Sequence, residues 1–197
     1  SKGIRGMKNM NYEALLRQRR SIRAFEERDV PPDVVMEIIR DSCLAPSAMN
    51  GQPWRFAVVQ NRRWIKRISD ESKRNHLRDI ENNPSSPLSR YKDRLRDEAF
   101  NVFYNAPCLV FIAGPGNIPS LAVDCALAAS YFMFAATARG LGTCWIGLGT
   151  NLSNQETLEA IGIPADCRII APLILGYPLS IPDPRDREEA MILKILR

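Results

Sequence analysis

The chain has 197 residues, 45% of them hydrophobic and 25% charged, with a formal net charge of +5 and a pI near 9.1. That balance fits one globular α/β or α+β domain with a sizeable core. The five scattered cysteines (43, 108, 125, 144 and 167) form no Cys-x-x-Cys pair, so no metal site is expected, and a lone histidine, His76, disfavours a Ser-His-Asp hydrolase. The longest apolar stretch, Ala126 to Ala138, is broken by Ser130 and Thr137 and reads as too short for a bilayer. No segment has the layout of a secretory signal, so a cytoplasmic setting without a membrane partner is expected. Basic residues are not interleaved with aromatics, and no nucleic-acid partner is expected.

Asn11 to Arg20 reads as a first helix with Tyr12, Leu15 and Leu16 facing inward. It ends in Arg19-Arg20-Ser21-Ile22-Arg23, followed by Phe25. Paired arginines beside a serine can grip a phosphate, because guanidinium is a planar fork of donors and serine adds a hydroxyl. A plain basic surface patch is the competing reading.

Pro31-Pro32-Asp33 opens a second helix, with Val34, Val35, Ile38 and Ile39 as its apolar face. It delivers the chain into Ala45-Pro-Ser-Ala-Met-Asn-Gly-Gln-Pro-Trp-Arg-Phe56. Proline and glycine there forbid a continuous helix, while Ser47, Asn50 and Gln52 offer uncharged hydrogen-bonding groups. Trp54 to Val59 follows as a strand, expected to be central. Asn61 to Glu98 is rich in Arg, Lys, Asn and Ser and reads as a solvated segment, with His76 at the surface. Its Asn83-Pro-Ser-Ser-Pro87 run reads as a flexible loop.

Phe100 to Tyr104 is expected to end a helix that Pro107 stops. Cys108 to Ala113 reads as a buried strand, and Gly114-Pro-Gly116 as a turn. Ser120 is the expected N-cap of a helix from Leu121 to Arg139, closed by Gly140. That helix is apolar nearly all round, so it belongs in a core or an interface. Thr143 to Gly147 is a short strand. Asn154 opens an amphipathic helix through Leu158 and Ile161, and Arg168 to Leu175 is a last buried strand. Gly176-Tyr-Pro178 turns into a tail that carries Arg185-Asp-Arg187, then Leu193, Ile195 and Leu196, which are expected to pack, on a partner chain. Three or four strands among helices fit an α+β sandwich of one domain, 1–197.

The order Arg-Arg-Ser-x-Arg-x-Phe, then Ala-Pro-Ser-x-x-Asn-x-Gln-Pro-Trp-x-Phe, then Gly140-Leu-Gly-Thr-Cys-Trp-Ile-Gly147 and Gly176-Tyr-Pro178, resembles the nitroreductase family of flavoproteins. The resemblance spans nearly the whole chain. It implies a three-layer α+β sandwich with a mainly antiparallel sheet flanked by helices, in an interlocked homodimer with FMN at the subunit interface. It implies hydride transfer from NADH or NADPH to flavin N5 and on to a small nitroaromatic, quinone or similar acceptor, with no catalytic acid or base. The phosphate falls to Arg19, Arg20, Ser21, Arg185 and Arg187. Arg-Asp-Arg departs mildly from the family's Lys-x-Arg and keeps both charges. Arg23 falls at the flavin's pyrimidine edge as an electrostatic tuner. Pro46, Ser47, Ala48, Asn50 and Gln52 reach the ring or ribityl chain from the other subunit, and the backbone of Ile146, Gly147 and Leu148 meets N5 and O4. The 61–98 segment is then expected to be a mobile lid over the flavin. Two alternatives stand beside this: a dehalogenase or flavin-processing enzyme of the same fold, and a basic nucleic-acid-binding module.

Overall fold

The computed structural model describes residues 10–197; most of the polar leader lies outside them. The four most strand-like runs form one antiparallel sheet: β1 (Arg55–Val59), β2 (Cys108–Pro115), β3 (Gly142–Trp145) and β4 (Cys167–Gly176), in the order β1-β2-β4-β3. The pleat sends alternate residues to opposite faces. Val110, Ile112, Leu173 and Leu175 enter one core, while Leu109, Phe111 and Ile174 enter another. Burial of both faces explains why β2 and β4 read as unbroken apolar runs.

Helices α2 (Pro32–Ser42) and α5 (Leu121–Ala138) cover the first face. α2 starts with proline in its first turn and Asp33 at its positive end, and it buries Val34, Val35, Ile38 and Ile39. α5 closes in a Schellman motif. Leu141 N–H donates to Ala136 O at 2.9 Å and Gly140 N–H to Thr137 O at 3.0 Å, with Gly140 at φ +74°. The second face is covered by α3 (Arg62–Asn82), which Asn61 caps through a 3.1 Å bond from Trp64 N–H. The result is a three-layer sandwich, helices on both sides of the sheet. Short helices α1 (Tyr12–Gln18), α4 (Lys92–Arg96) and α6 (Gln155–Ala160) complete it, the last capped by Asn154 as expected.

Several expectations are corrected. The 61–98 segment is mostly helix: Ile65, Ile68 and Ile80 bury one face of α3, and a polar outer face had masked that periodicity. His76 lies on the buried side, 6% exposed. β1 is an edge strand, not a central one. Phe100 to Tyr104 is a chain of turns, with Tyr104 and Asn105 both at φ 54°. α3 side chains satisfy its backbone: Lys73 Nζ donates to the carbonyls of Asp97 and Phe100, and Ser69 Oγ accepts from Val102 N–H. Tyr12 and Leu16 are 71% and 48% exposed rather than inward. Ser120 makes no capping bond; its hydroxyl donates to Asp124 Oδ2 at 2.7 Å.

α5 buries Cys125, Ala128, Ala129, Phe132 and Ala136 on one face but leaves Val123, Leu127 and Tyr131 exposed in a stripe at i, i+4 and i+8. By length and composition alone it is apolar enough to cross a membrane. Its packing on the sheet and α2 makes it a core helix with one open face. The five thiols are free. Burial pushes Cys108 up to about 12 and Cys125 to about 11, so both stay protonated and inert.

Candidate functional site

Beyond α1 the chain runs extended beside β3. Ile22 N–H donates to Thr143 O at 2.9 Å, and Ser21 bridges Thr143 in parallel. Farther on, Glu26 N–H meets Tyr177 O, and Leu179 N–H meets Ala24 O. Ile22 is buried against Gly142, where a Cβ would fall 2.6 Å from Ile22 Cγ1, so only glycine allows this close approach. The expected residues Arg19, Arg20, Ser21 and Arg23 meet Arg185 and Arg187 of the tail around an open cavity of ≈ 710 Å³.

The charge there is one-sided. Arg17 joins the five other arginines, against Asp183 alone. Among the described residues, none of Arg19, Arg20, Arg23, Arg185 and Arg187 forms an ion pair. Burial, then the positive charge of Arg187 and Arg20, pulls the Arg19 guanidinium below its ordinary pKa. Arg20 donates through Nη1 to the carbonyls of Arg17 and Arg19, while its buried Nε has no partner. Cations crowded together with donors to spare make a site for an anion with several oxygens.

A second cavity of ≈ 520 Å³ is lined by Ile146, Gly147 and Leu148, with Tyr104, Phe100 and Arg23 among its walls. Arg23 lines both cavities, so the two adjoin at its side chain. The turn that carries Gly147 and Leu148 is pinned by α3. Leu148 O accepts from the Ser72 hydroxyl and from His76 Nε2 at 3.0 Å. Asn75 donates to Asn151 O, and Glu71 Oε1 accepts from Ser153 and Asn154 N–H, both at 2.9 Å.

The reading of the sequence missed this support. Its signal was present: Glu71, Ser72, Asn75 and His76 fall on one helix face. Glu71→Ala removes a buried carboxylate and leaves the Ser153 and Asn154 N–H groups without their acceptor. A stability loss of about 2–4 kcal/mol is expected, read from the denaturant midpoint. An unchanged midpoint would show that the turn holds without α3.

The Pro46–Gln52 turn is not brought to either cavity within one chain. Pro46, Ala48, Asn50 and Gln52 are exposed, and the polar groups close on one another. Gln52 N–H donates to Ser47 Oγ at 3.0 Å and Gln52 Nε2 to Asn50 Oδ1 at 3.1 Å. Met49, Asn50 and Gln52 hold left-handed φ of 53°, 54° and 45°, an unusual run for residues with side chains. Ala48 N–H donates to Asp124 Oδ1 at 2.9 Å, which fixes the turn at the start of α5, the helix that carries the exposed apolar stripe.

Residues 16–177 match the family model described as the nitroreductase family. The chain belongs to the nitroreductase family. An Archaeoglobus fulgidus member, provisionally assigned as an NADH dehydrogenase/NAD(P)H nitroreductase, is 26% identical over 161 residues, 81% of each chain. The iodotyrosine deiodinase of Thermotoga neapolitana is 24% identical over 187 residues, 91% of this chain and 95% of that one. Among solved family structures, a Bacteroides fragilis nitroreductase with bound FMN superposes with a TM-score of 0.81 at 24% identity, over 94% of this chain and 100% of that one. That likeness establishes the nitroreductase fold expected from the sequence motifs.

Proposed function

We propose that this nitroreductase-family chain is a single FMN-binding domain, 1–197, working as an NAD(P)H-dependent oxidoreductase on small electrophilic acceptors such as nitroaromatics and quinones. The observation that carries the reading is the cluster of arginines without ion pairs, joined through Arg23 to the cavity lined by Ile146, Gly147 and Leu148. Its donors fit a phosphate: Arg19, Arg20, Ser21, Arg185 and Arg187 would hold it, and the crowding around Arg19 is relieved by the added negative charge. Bound FMN would supply two-electron exchange between NAD(P)H and the acceptor. The chain's own part is to bind, orient and set the local field. Gly147 has no side chain to bar close approach of a ring to the backbone.

The assembly belongs to the same proposal. The apolar stripe on α5 and the exposed turn at its start support a homodimer in which each chain lends Pro46, Ser47, Ala48, Asn50 and Gln52 to its partner's site. Exposed Met191, Leu193, Ile195 and Leu196 in the tail support the same pairing. The free thiols support a reducing, cytoplasmic setting.

A reductive dehalogenase is the second reading, favoured by the deiodinase relative. Parallel assays with a nitroaromatic, a quinone and a halophenol separate the two.

Arg23 tests the proposal at its junction. A cation there favours the reduced, more negative form of the cofactor over the oxidised form. Each 1.4 kcal/mol of that preference is ~30 mV for a two-electron couple. Arg23→Gln is expected to lower the midpoint potential by tens of millivolts, on the order of 1–2 kcal/mol of preference, while oxidised FMN binds nearly as before. Potentiometry checks it: an unchanged midpoint with FMN bound would remove Arg23 from the tuning role.

A further inference from the structure

We infer that the cavity beside Ile146–Leu148 selects aromatic acceptors that carry a negative charge, a carboxylate above all, with Arg90 and Arg94 as the reading groups. The inference rests on the oxidoreductase reading above and names its substrate class. The cavity's lining holds Arg23, Arg90, Arg94 and His76 and no carboxylate. Neither Arg90 nor Arg94 forms an ion pair among the described residues. Four aromatic residues, Tyr91, Phe100, Tyr104 and Trp145, share its other walls with aliphatic ones such as Leu88 and Val102.

The guanidiniums are held over those rings. Arg94 sits 4.3 Å from the centre of Phe100 and 5.6 Å from that of Tyr104. Arg90 lies 4.8 Å from Tyr91, and Arg23 lies 5.8 Å from Tyr104. Tyr104 thus has a cation from each of two separate segments near one ring. It holds that place with a left-handed backbone, a conformation tyrosine keeps only where its surroundings impose it. Guanidiniums stacked on rings lose little freedom when they accept an anion. Flat apolar walls with fixed donors suit a planar ring bearing a carboxylate.

Both arginines are exposed, so replacing them leaves the core intact. The test compares 4-nitrobenzoate with its neutral analogue 4-nitrobenzamide by calorimetric titration of the purified holoprotein. Wild type is expected to bind the carboxylate about 10-fold more tightly, the order of one charge-assisted bond at a partly exposed site. Added salt should narrow the gap. Arg90→Gln with Arg94→Gln should bring the ratio near one and leave the amide unchanged, and the double lysine variant should keep part of the preference.

Equal binding of the two ligands by wild type overturns the inference. So does a ratio that survives the double glutamine variant, or equal weakening of both ligands. The donor's own phosphates are the competing anion. If the variant changes the NADPH-to-NADH preference while the acceptor ratio stands, these arginines read the donor instead. Failure of the underlying reading shows separately, as purified protein without flavin absorbance, whatever the titration gives.

Discussion

Leu127→Arg combined with Tyr131→Glu is expected to leave a 22.2 kDa monomer where the wild-type chain is expected to pair. Both residues sit on the open face of α5, at 36% and 42% exposure in the single chain. Burying a large apolar side chain contributes about 1.5–3 kcal/mol. About two fifths of each side chain remains to be buried and a two-fold interface presents each position twice, so the loss is on the order of 2–5 kcal/mol before the cost of burying new charge. The folded chain should survive, because neither side chain enters either core. Flavin should be lost with the dimer, since in the proposed assembly the Pro46–Gln52 turn serves the partner's site. Sedimentation equilibrium with a parallel flavin assay measures both. A wild-type monomer at low micromolar concentration would remove the interface from the proposal, and a monomeric variant with full flavin content would remove the turn from the site.

Arg19→Ala and Arg187→Ala are each expected to weaken FMN binding by about 1.5–3 kcal/mol, or roughly 10- to 100-fold. Each deletes charge-assisted donors from a cavity in which one side chain, Asp183, carries the opposite sign. Riboflavin has no phosphate and should lose much less. The two substitutions are not expected to add simply: Arg187 lowers the pKa of Arg19, so removing one relieves the other. The double variant should therefore cost more than the two single losses combined, because each single variant is partly rescued by the arginine that remains. Equal losses for FMN and riboflavin would put these arginines elsewhere in the mechanism.

Much of this was legible because short-range chemistry wrote it. Pro32 and Asp33 started α2, Gly140 ended α5, and the unbroken runs of β2 and β4 announced a sheet buried on both faces. Arg19, Arg20, Ser21 and Arg23 lie close in sequence, so their convergence needed little folding. Their meeting with Arg185 and Arg187 followed only from the family resemblance, since nothing local joins positions that far apart. α3 was misread because its outward residues are mostly charged and outnumber the isoleucines that hold it down. His76 was assigned by its charged neighbours in sequence, whereas its neighbours in space are Leu148 and Asn151. β1 was placed centrally on composition, but edge or centre depends on which strands pair, a long-range property.

The most direct test is a parallel titration of flavin-free wild-type protein with FMN and with riboflavin. If the arginine cavity holds the phosphate, FMN saturates at one per chain and binds at least about 100-fold more tightly than riboflavin, with the gap narrowing as salt is added. Equal affinities, or no saturable binding of FMN, would contradict the account.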